Sequence, residues 1–418
     1  MVASLLAACP IASAQEADTA GAGADPAVAA IRFYQQYLSS LRHAHCRFTP
    51  SCSEYAAQAI ERYGVVEGSA LAADRLMRCN ISAARVHPRG ADGLLEDPLE
   101  GDPLSTSARV PAWMFIPPEP SDPPLPPRLE SGRMDRIEET VAFARRLCER
   151  GDCERAATEY QRIGSLADLP ATDAWAFARI GECQLMISQW TAAERAFLTA
   201  GMLSSTAEGH ARAVYRAAVS RFDAGSFTAC ERLLGDPSLA SPSDTSRDSA
   251  PVAASLDTAS GAAAVPPDRV PALGGLCAMA RGDWTAASAG FSRGATMSRD
   301  ATSRTRILGW VPFAEQGPGL SHRSPGLAGT LSAVVPGTGQ MYCGRTRDGF
   351  RHLIFNGVLI WSVVSLATRR HVPAAILVAG IELPFYLGNI KGASRAAREH
   401  DRLERMDLLQ RAIRSSTQ

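Results

Sequence analysis

The chain has no excess of either charge. Its 43 basic residues balance 43 acidic ones across 418 positions, so nothing global draws it to nucleic acid and any basic function must be local. Aromatic residues are scarce, at 6%, and β-branched runs are few. With so much alanine, the composition favours helix throughout and a mainly α fold class. No nucleophile elbow, phosphate loop, zinc-protease helix or catalytic triad is present, which points away from an enzyme and from a bound cofactor. At 418 residues, two or three domains are expected.

Residues 1–15, MVASLLAACPIASAQ, pair a short apolar run with Ala12-Ser13-Ala14 before Gln15, the pattern of a signal peptide. No basic residue precedes that run. Leu6-Ala7-Ala8-Cys9 offers a lipoprotein signal as the rival reading, with Cys9 acylated. Ten cysteines are many for a cytosolic chain, and export would permit disulfides. Cys46 with Cys52 or Cys79, and Cys148 with Cys153, have the spacing for it. A zinc site completed by His43, His45 or His87 and simple packing of buried thiols are the alternatives.

Three helices are expected within residues 27–98. Ile31, Tyr34, Leu38 and Leu41 recur at helical spacing over 27–42. Phe33, Tyr34, Tyr37 and Arg42, beside a local arginine excess, suit attachment to anionic headgroups, and membrane lipids are the expected partner. Pro50, Ser51 and Glu54 then read as a helix start with a capping box. That helix runs from Ser53 to Tyr63 and stops at Gly64, and a third covers 67–79, ending in Arg75, Arg78 and Cys79.

The run from FYQQYLSSL through CRFTPSCSEYAAQAIERYG to LMRCN resembles the YidD family of bacterial membrane protein insertion efficiency factors. Cys46, Arg47, Phe48, Pro50, Cys52, Ser53, Tyr55, Arg78 and Cys79 carry the resemblance. Where the family continues into a His-Pro and Gly-Gly-x-Asp-Pro-Val tail, this chain has His87-Pro88-Arg89-Gly90-Ala91-Asp92 and, displaced by an insertion, Asp97-Pro98. The resemblance implies a small helical domain that assists protein insertion at the membrane surface near the Sec and YidC machinery, with no catalytic residue to transfer.

Residues 99–132 are proline-rich, with Pro117-Pro118, Pro123-Pro124 and Pro126-Pro127, and read as a stiff linker. Trp113, Phe115 and Ile116 are unusual for a spacer and suit docking on a neighbouring domain. From 133 to 310, Ala156 with Tyr160, Ala193 with Phe197, Ala229 with Leu233 and Ala287 with Phe291 repeat a small residue four before a large one. The pattern resembles tetratricopeptide repeats and predicts a solenoid of helical hairpins that binds a protein or peptide, interrupted by a disordered insertion at 237–267. Cys183 and Cys277 fall at equivalent repeat positions and read as core.

Three apolar stretches within 324–391 predict a membrane hairpin or a three-span module. The run Pro336-Gly-Thr-Gly-Gln-Met-Tyr-x-Gly344, with Asn389, is similar to small bacterial membrane modules. Glu382 is the ionisable residue inside an apolar span; it reads as a carboxylate either protonated or paired with Asn356 or Arg351 at a helix packing seam, with a proton or ion site as the rival. Residues 392–418 read as an amphipathic tail helix with Leu403, Met406, Leu409 and Ile413 on one face, turned to the membrane or a partner. Three crossings after an exported N-terminus predict a bacterial inner-membrane protein with periplasmic N-terminal domains. The expected role is assistance to insertion or assembly of membrane proteins, the alternative a cell-envelope scaffold or secretion accessory that only binds partners.

Overall fold

A computed structural model describes residues 25–39, 46–79, 83, 87, 89, 93–97, 99, 108–115, 123, 131–167, 169–239 and 264–416. The signal segment 1–15 with Cys9, Leu41, Arg42, His43, His45, Ile116, most of the linker and residues 240–263 of the expected insertion lie outside the described residues. The fold is mainly α. The chain divides into two compact units, Met1–Ser105 with Ser321–Glu404, and Thr106–Leu320 with Arg405–Gln418.

The first unit begins with α1 (Pro26–Phe33), capped by the Asp25 carboxylate at 2.9 Å from the Ala27 N–H and continued by a π-type turn over Tyr34–Leu38. Helix α2 (Cys52–Arg78) starts at Ser51, whose hydroxyl accepts the Glu54 N–H at 3.2 Å. Gly64 breaks it into two arms at φ 78°, ψ 170°, a backbone state natural only to glycine, so the two helices expected on either side of Gly64 are joined at a kink. Two short parallel strands, β1 (Phe48–Thr49) and β2 (Leu95–Glu96), set Phe48 opposite Leu95.

The second unit is a succession of helices, joined by short turns within α3–α8 and within α9–α12: α3 (Ser131–Glu149), α4 (Cys153–Ala167), α5 (Pro170–Met186), α6 (Trp190–Leu203), α7 (Ala207–Asp223), α8 (Phe227–Leu234), α9 (Arg269–Arg281), α10 (Trp284–Met297), α11 (Ala301–Leu308) and α12 (Val311–Gln316). Ala156, Tyr160, Ala193, Phe197, Ala287 and Phe291 are all buried, as the small–large periodicity requires. Ala229 and Leu233 are only half-buried, and Cys230 takes the interior position of α8.

In this unit Trp113 packs on the helices, as its place in the spacer suits, and one expectation needs correcting. Residues 108–115, part of the expected spacer, are core: Val110 donates its N–H to Asp223 at 2.9 Å, the Met114 carbonyl accepts the Tyr215 hydroxyl at 3.1 Å, and the Trp113 ring lies 5.4 Å from Trp310. The tail's apolar face, expected to turn to the membrane or a partner, is buried in the unit's own core. Met406, Leu409 and Ile413 are buried in the same core, where Trp310 donates its indole N–H to the Ala412 carbonyl at 2.9 Å. An amphipathic face reports that it must be covered, not by what.

The C-terminal part of the first unit holds α13 (Pro325–Val334), α14 (Thr338–Tyr342), α15 (Thr346–Thr368) and α16 (Val372–Ser415) as far as Glu404, the rest of α16 being part of the second unit. Among the described residues two helices, α15 and α16, are long and apolar enough to cross a membrane. The third expected span is broken at Pro336-Gly337 into helices of ten and five residues, too short for a hydrocarbon core of about 30 Å. The polar groups freed there are satisfied internally. The Asn389 carboxamide accepts the Gly337 N–H at 2.9 Å and donates to the Ser332 carbonyl at 2.9 Å, while Gln340 donates to the Asn389 carbonyl at 2.9 Å. Outward, Ile354, Val358, Trp361, Ile376 and Leu377 are exposed, the surface a bilayer would cover.

Candidate functional site

Three residues of α2, Asp74, Arg75 and Arg78, are buried, which is uncommon for charged side chains unless they are paired. Asp74 and Arg78 sit one helical turn apart and pair at 3.0 Å. Asp97, just beyond β2, receives Arg78 at 2.8 Å and Arg75 at 3.4 Å. Arg75 is fully enclosed: it donates to the carbonyls of Asp97 (2.5 Å) and Pro50 (2.6 Å), and its guanidinium lies 4.6 Å from the Phe48 ring centre and 4.3 Å from that of Tyr55. The motif residues Phe48, Pro50 and Tyr55 therefore build the walls and one acceptor of an arginine socket.

Burial works against an ionised Asp97, but Arg78 and Arg75 outweigh it and hold the carboxyl below the usual range. Desolvation pushes His87 down to about 4, so it is neutral at pH 7. Its Nε2 faces Arg78 at 3.2 Å and can only accept there.

Helix α16 completes the site from more than 300 residues away in sequence. Arg395 lies 3.8 Å from Asp74 and 3.8 Å from Asp97, and Lys391, the only lysine in the chain, pairs with Glu67 of α2. The approach is close because two glycines face α2. A Cβ on Gly388 would meet the Ala70 carbonyl at 2.6 Å, and one on Gly392 would collide with the Asp74 carboxylate. The domain carrying the Cys-Arg-Phe motif is thus docked on the polar continuation of a candidate span.

The motif cysteines gather beside the socket. Cys46 lies 3.3 Å from Cys52 and 4.0 Å from Cys79, and the three sulfurs lie within 4.8 Å of one another. The Cys52 N–H donates to the Cys46 sulfur at 3.4 Å. Ser53 accepts from Gln35 at 3.2 Å, and Arg47 is exposed. Of the expected lipid-facing residues, Phe33 and Tyr37 are exposed with rings 4.9 Å apart, and Tyr34 is half-buried. Glu382 on α16 is buried, and neither of its oxygens has a hydrogen-bond partner among the described residues, so of the readings offered the pairing with Asn356 or Arg351 is the one not formed. Asn356 donates instead to the His352 carbonyl at 2.8 Å, and Arg351 bonds Asp348 at 2.8 Å.

Sequence reasoning missed Asp74, Arg75, His87, Asp97 and Arg395 as one constellation. Asp97 had a signal, since it belongs to the displaced Asp-Pro pair. Residues 93–97 return to the domain through β2, so the insertion before them does not remove the aspartate from its arginines.

The sequence profile of the YidD family, described as "Putative membrane protein insertion efficiency factor", matches residues 24–94. A protein of that description from Moorella thermoacetica is 48% identical over 66 residues, which is 16% of this chain and 84% of the relative. This chain belongs to the YidD family. A YidD protein from an Anaeromyxobacter species is 52% identical over 66 residues (16% of this chain, 84% of the relative), and one from Escherichia coli O6:H1 is 39% identical over 84 (20% and 88%). No solved structure matches. The relatives are almost entirely spanned by the YidD segment, whereas the helical succession of the second unit and α13–α16 lie outside the match.

Proposed function

We propose that this protein is a membrane-anchored, non-catalytic YidD factor that assists the insertion or assembly of membrane proteins. The observation that carries the reading is the docking of the YidD domain, through Asp74, Asp97 and Glu67, against Arg395, Gly388, Gly392 and Lys391 of α16. A factor that handles segments entering a bilayer has to be held where the bilayer ends, and this contact holds it there. Exposed Phe33 and Tyr37 add an apolar surface suited to lipid or to an emerging apolar segment.

Charge supports a cytoplasmic placement. With two crossings, α15 and α16 form a hairpin with Arg345, Arg347, Arg351, Lys391, Arg395 and Arg398 at its base and Arg369 and Arg370 at its tip. The positive-inside rule assigns the base, and the YidD domain docked on it, to the cytoplasm, opposite to the periplasmic placement that three crossings would give. The Sec and YidC machinery is then the expected neighbour. The second unit, read as tetratricopeptide-like hairpins, would recruit a protein or peptide. A cavity of about 190 Å³ lined by Phe115, Leu185, Phe197, Tyr215 and Val219 together with the ion pair Glu182–Arg216 suits one apolar side chain flanked by polar groups.

Depletion followed by quantification of newly inserted multi-span inner-membrane proteins tests the role, and a fall in insertion is expected. Unchanged insertion would favour an envelope scaffold that only binds partners. Reporter fusions after residues 130 and 418 test the placement, with cytoplasmic signals expected at both.

A further inference from the structure

We propose that Cys46, Cys52 and Cys79 form a three-thiolate site for one Zn²⁺, with water as the fourth ligand. The three side chains come from the loop before β1, the first turn of α2 and the residue that ends α2, so the fold gathers groups 33 positions apart in the chain. Tetrahedral zinc with bonds of about 2.3 Å places its sulfurs about 3.8 Å apart. The distances here, 3.3 and 4.0 Å with all sulfurs inside 4.8 Å, bracket that value. A disulfide would use two of the three and leave the third thiol stranded against it.

Two further observations favour a negatively charged sulfur centre. Backbone N–H groups point at two of the sulfurs, that of Cys52 at Cys46 (3.4 Å) and that of Arg47 at Cys79, and such donors stabilise metal-bound thiolates. The neighbouring charges also fail to balance. Among the described residues, Arg75, Arg78, Arg395 and Arg345 face Asp74, Asp97 and Glu399, four cations against three carboxylates, so the network carries one positive charge in excess. Arg75 lies near enough to Cys52 to feel a charge there. One Zn²⁺ with three thiolates carries a single negative charge and closes the balance. On binding, three S–H bonds break, three Zn–S bonds form and three protons leave to water, with no oxidant or reductant needed. The cytoplasmic placement adds only that the thiols stay reduced; the geometry and charge arguments do not rest on it.

The test uses the full chain in detergent, reduced, stripped with chelator and titrated with Co²⁺. One ion per chain is expected, with sulfur-to-cobalt absorption in the near ultraviolet, tetrahedral bands in the visible, about three protons released, and displacement of the signal by Zn²⁺. Cys52→Ser should abolish the signal, and Cys148→Ser should leave it intact. Should Cys52→Ser fail to fold, Cys79→His supplies the second variant, and its bands should shift rather than vanish because imidazole also ligates these ions. Folded, reduced protein that takes up no ion would overturn the site, as would a Cys52→Ser spectrum equal to wild type or a Cys46–Cys52 disulfide in protein taken from native membranes. Cobalt binding in a chain whose reporter at 130 reads periplasmic would leave the metal site standing and remove the proposed cytoplasmic placement.

Discussion

The two units build their interiors differently, although both bury some charge. In the second, the interior is Phe197, Phe222, Phe291, Trp310, Leu276 and many alanines, held by dispersion and the removal of apolar surface from water. In the first, the centre of the YidD domain is Arg75, Arg78, Asp74 and Asp97, and its apolar groups are arranged around charge. An apolar core tolerates trimming in proportion to the volume lost, whereas a buried ion network fails when one member leaves and its partners stay charged. The first unit is accordingly the more specific and the more fragile of the two.

Removing the shared carboxylate breaks that contrast most severely. Asp97→Ala strands Arg75 and Arg78, and a loss of about 3–5 kcal/mol is expected in chemical unfolding, with the second unit's transition unmoved. Phe291→Ala should cost a comparable sum, about 3–5 kcal/mol, but confined to the second unit. If both variants melted the whole chain in one step, the division into separate units would be lost.

A pH series sharpens the comparison next. His87 is depressed from its ordinary value to about 4, so the unfolded state takes up a proton that the folded state refuses. The contribution is full above about 6.5 and is lost as pH falls towards 4, by up to about 3 kcal/mol. Chelator-treated His87→Gln should flatten this slope in the first unit alone; an unchanged slope would mean that another group carries it. The smallest effect is expected at Arg32, half-exposed where it meets Glu54 and Glu61, with less than about 1 kcal/mol lost in Arg32→Ala.

The thiols separate the units chemically. Cys148 lies 3.2 Å from Cys183 on α5, so gentle oxidation should join these two, and peptide mapping should not find the Cys148–Cys153 bridge that sequence spacing offers.

What could be read from the chain was local. Gly64, the Ser51 cap and the alternation of alanine with Phe197 or Phe291 each depend on neighbours within a turn or two, and each appears in the fold. What escaped depended on distance. Nothing near Arg395 announces that it faces Asp74 and Asp97, and nothing near Met406 shows that its face belongs with Trp310. Pro384 lies inside α16, and no boundary separates the apolar stretch from the tail, because one helix carries both. The segment 108–115 was half legible: Trp113 announced a docking surface inside a proline-rich stretch, but nothing near it shows that it belongs with Tyr215 and Trp310.

The central claim is that docking of the YidD domain on α16 is what makes it act at the membrane. Complementation of a depleted strain with Gly392→Leu tests it directly, since the new side chain would force Asp74 and α2 away while leaving both spans intact. The protein should still fractionate with the membrane, yet fail to restore insertion of multi-span proteins. Full restoration by Gly392→Leu, at wild-type abundance, would contradict the account.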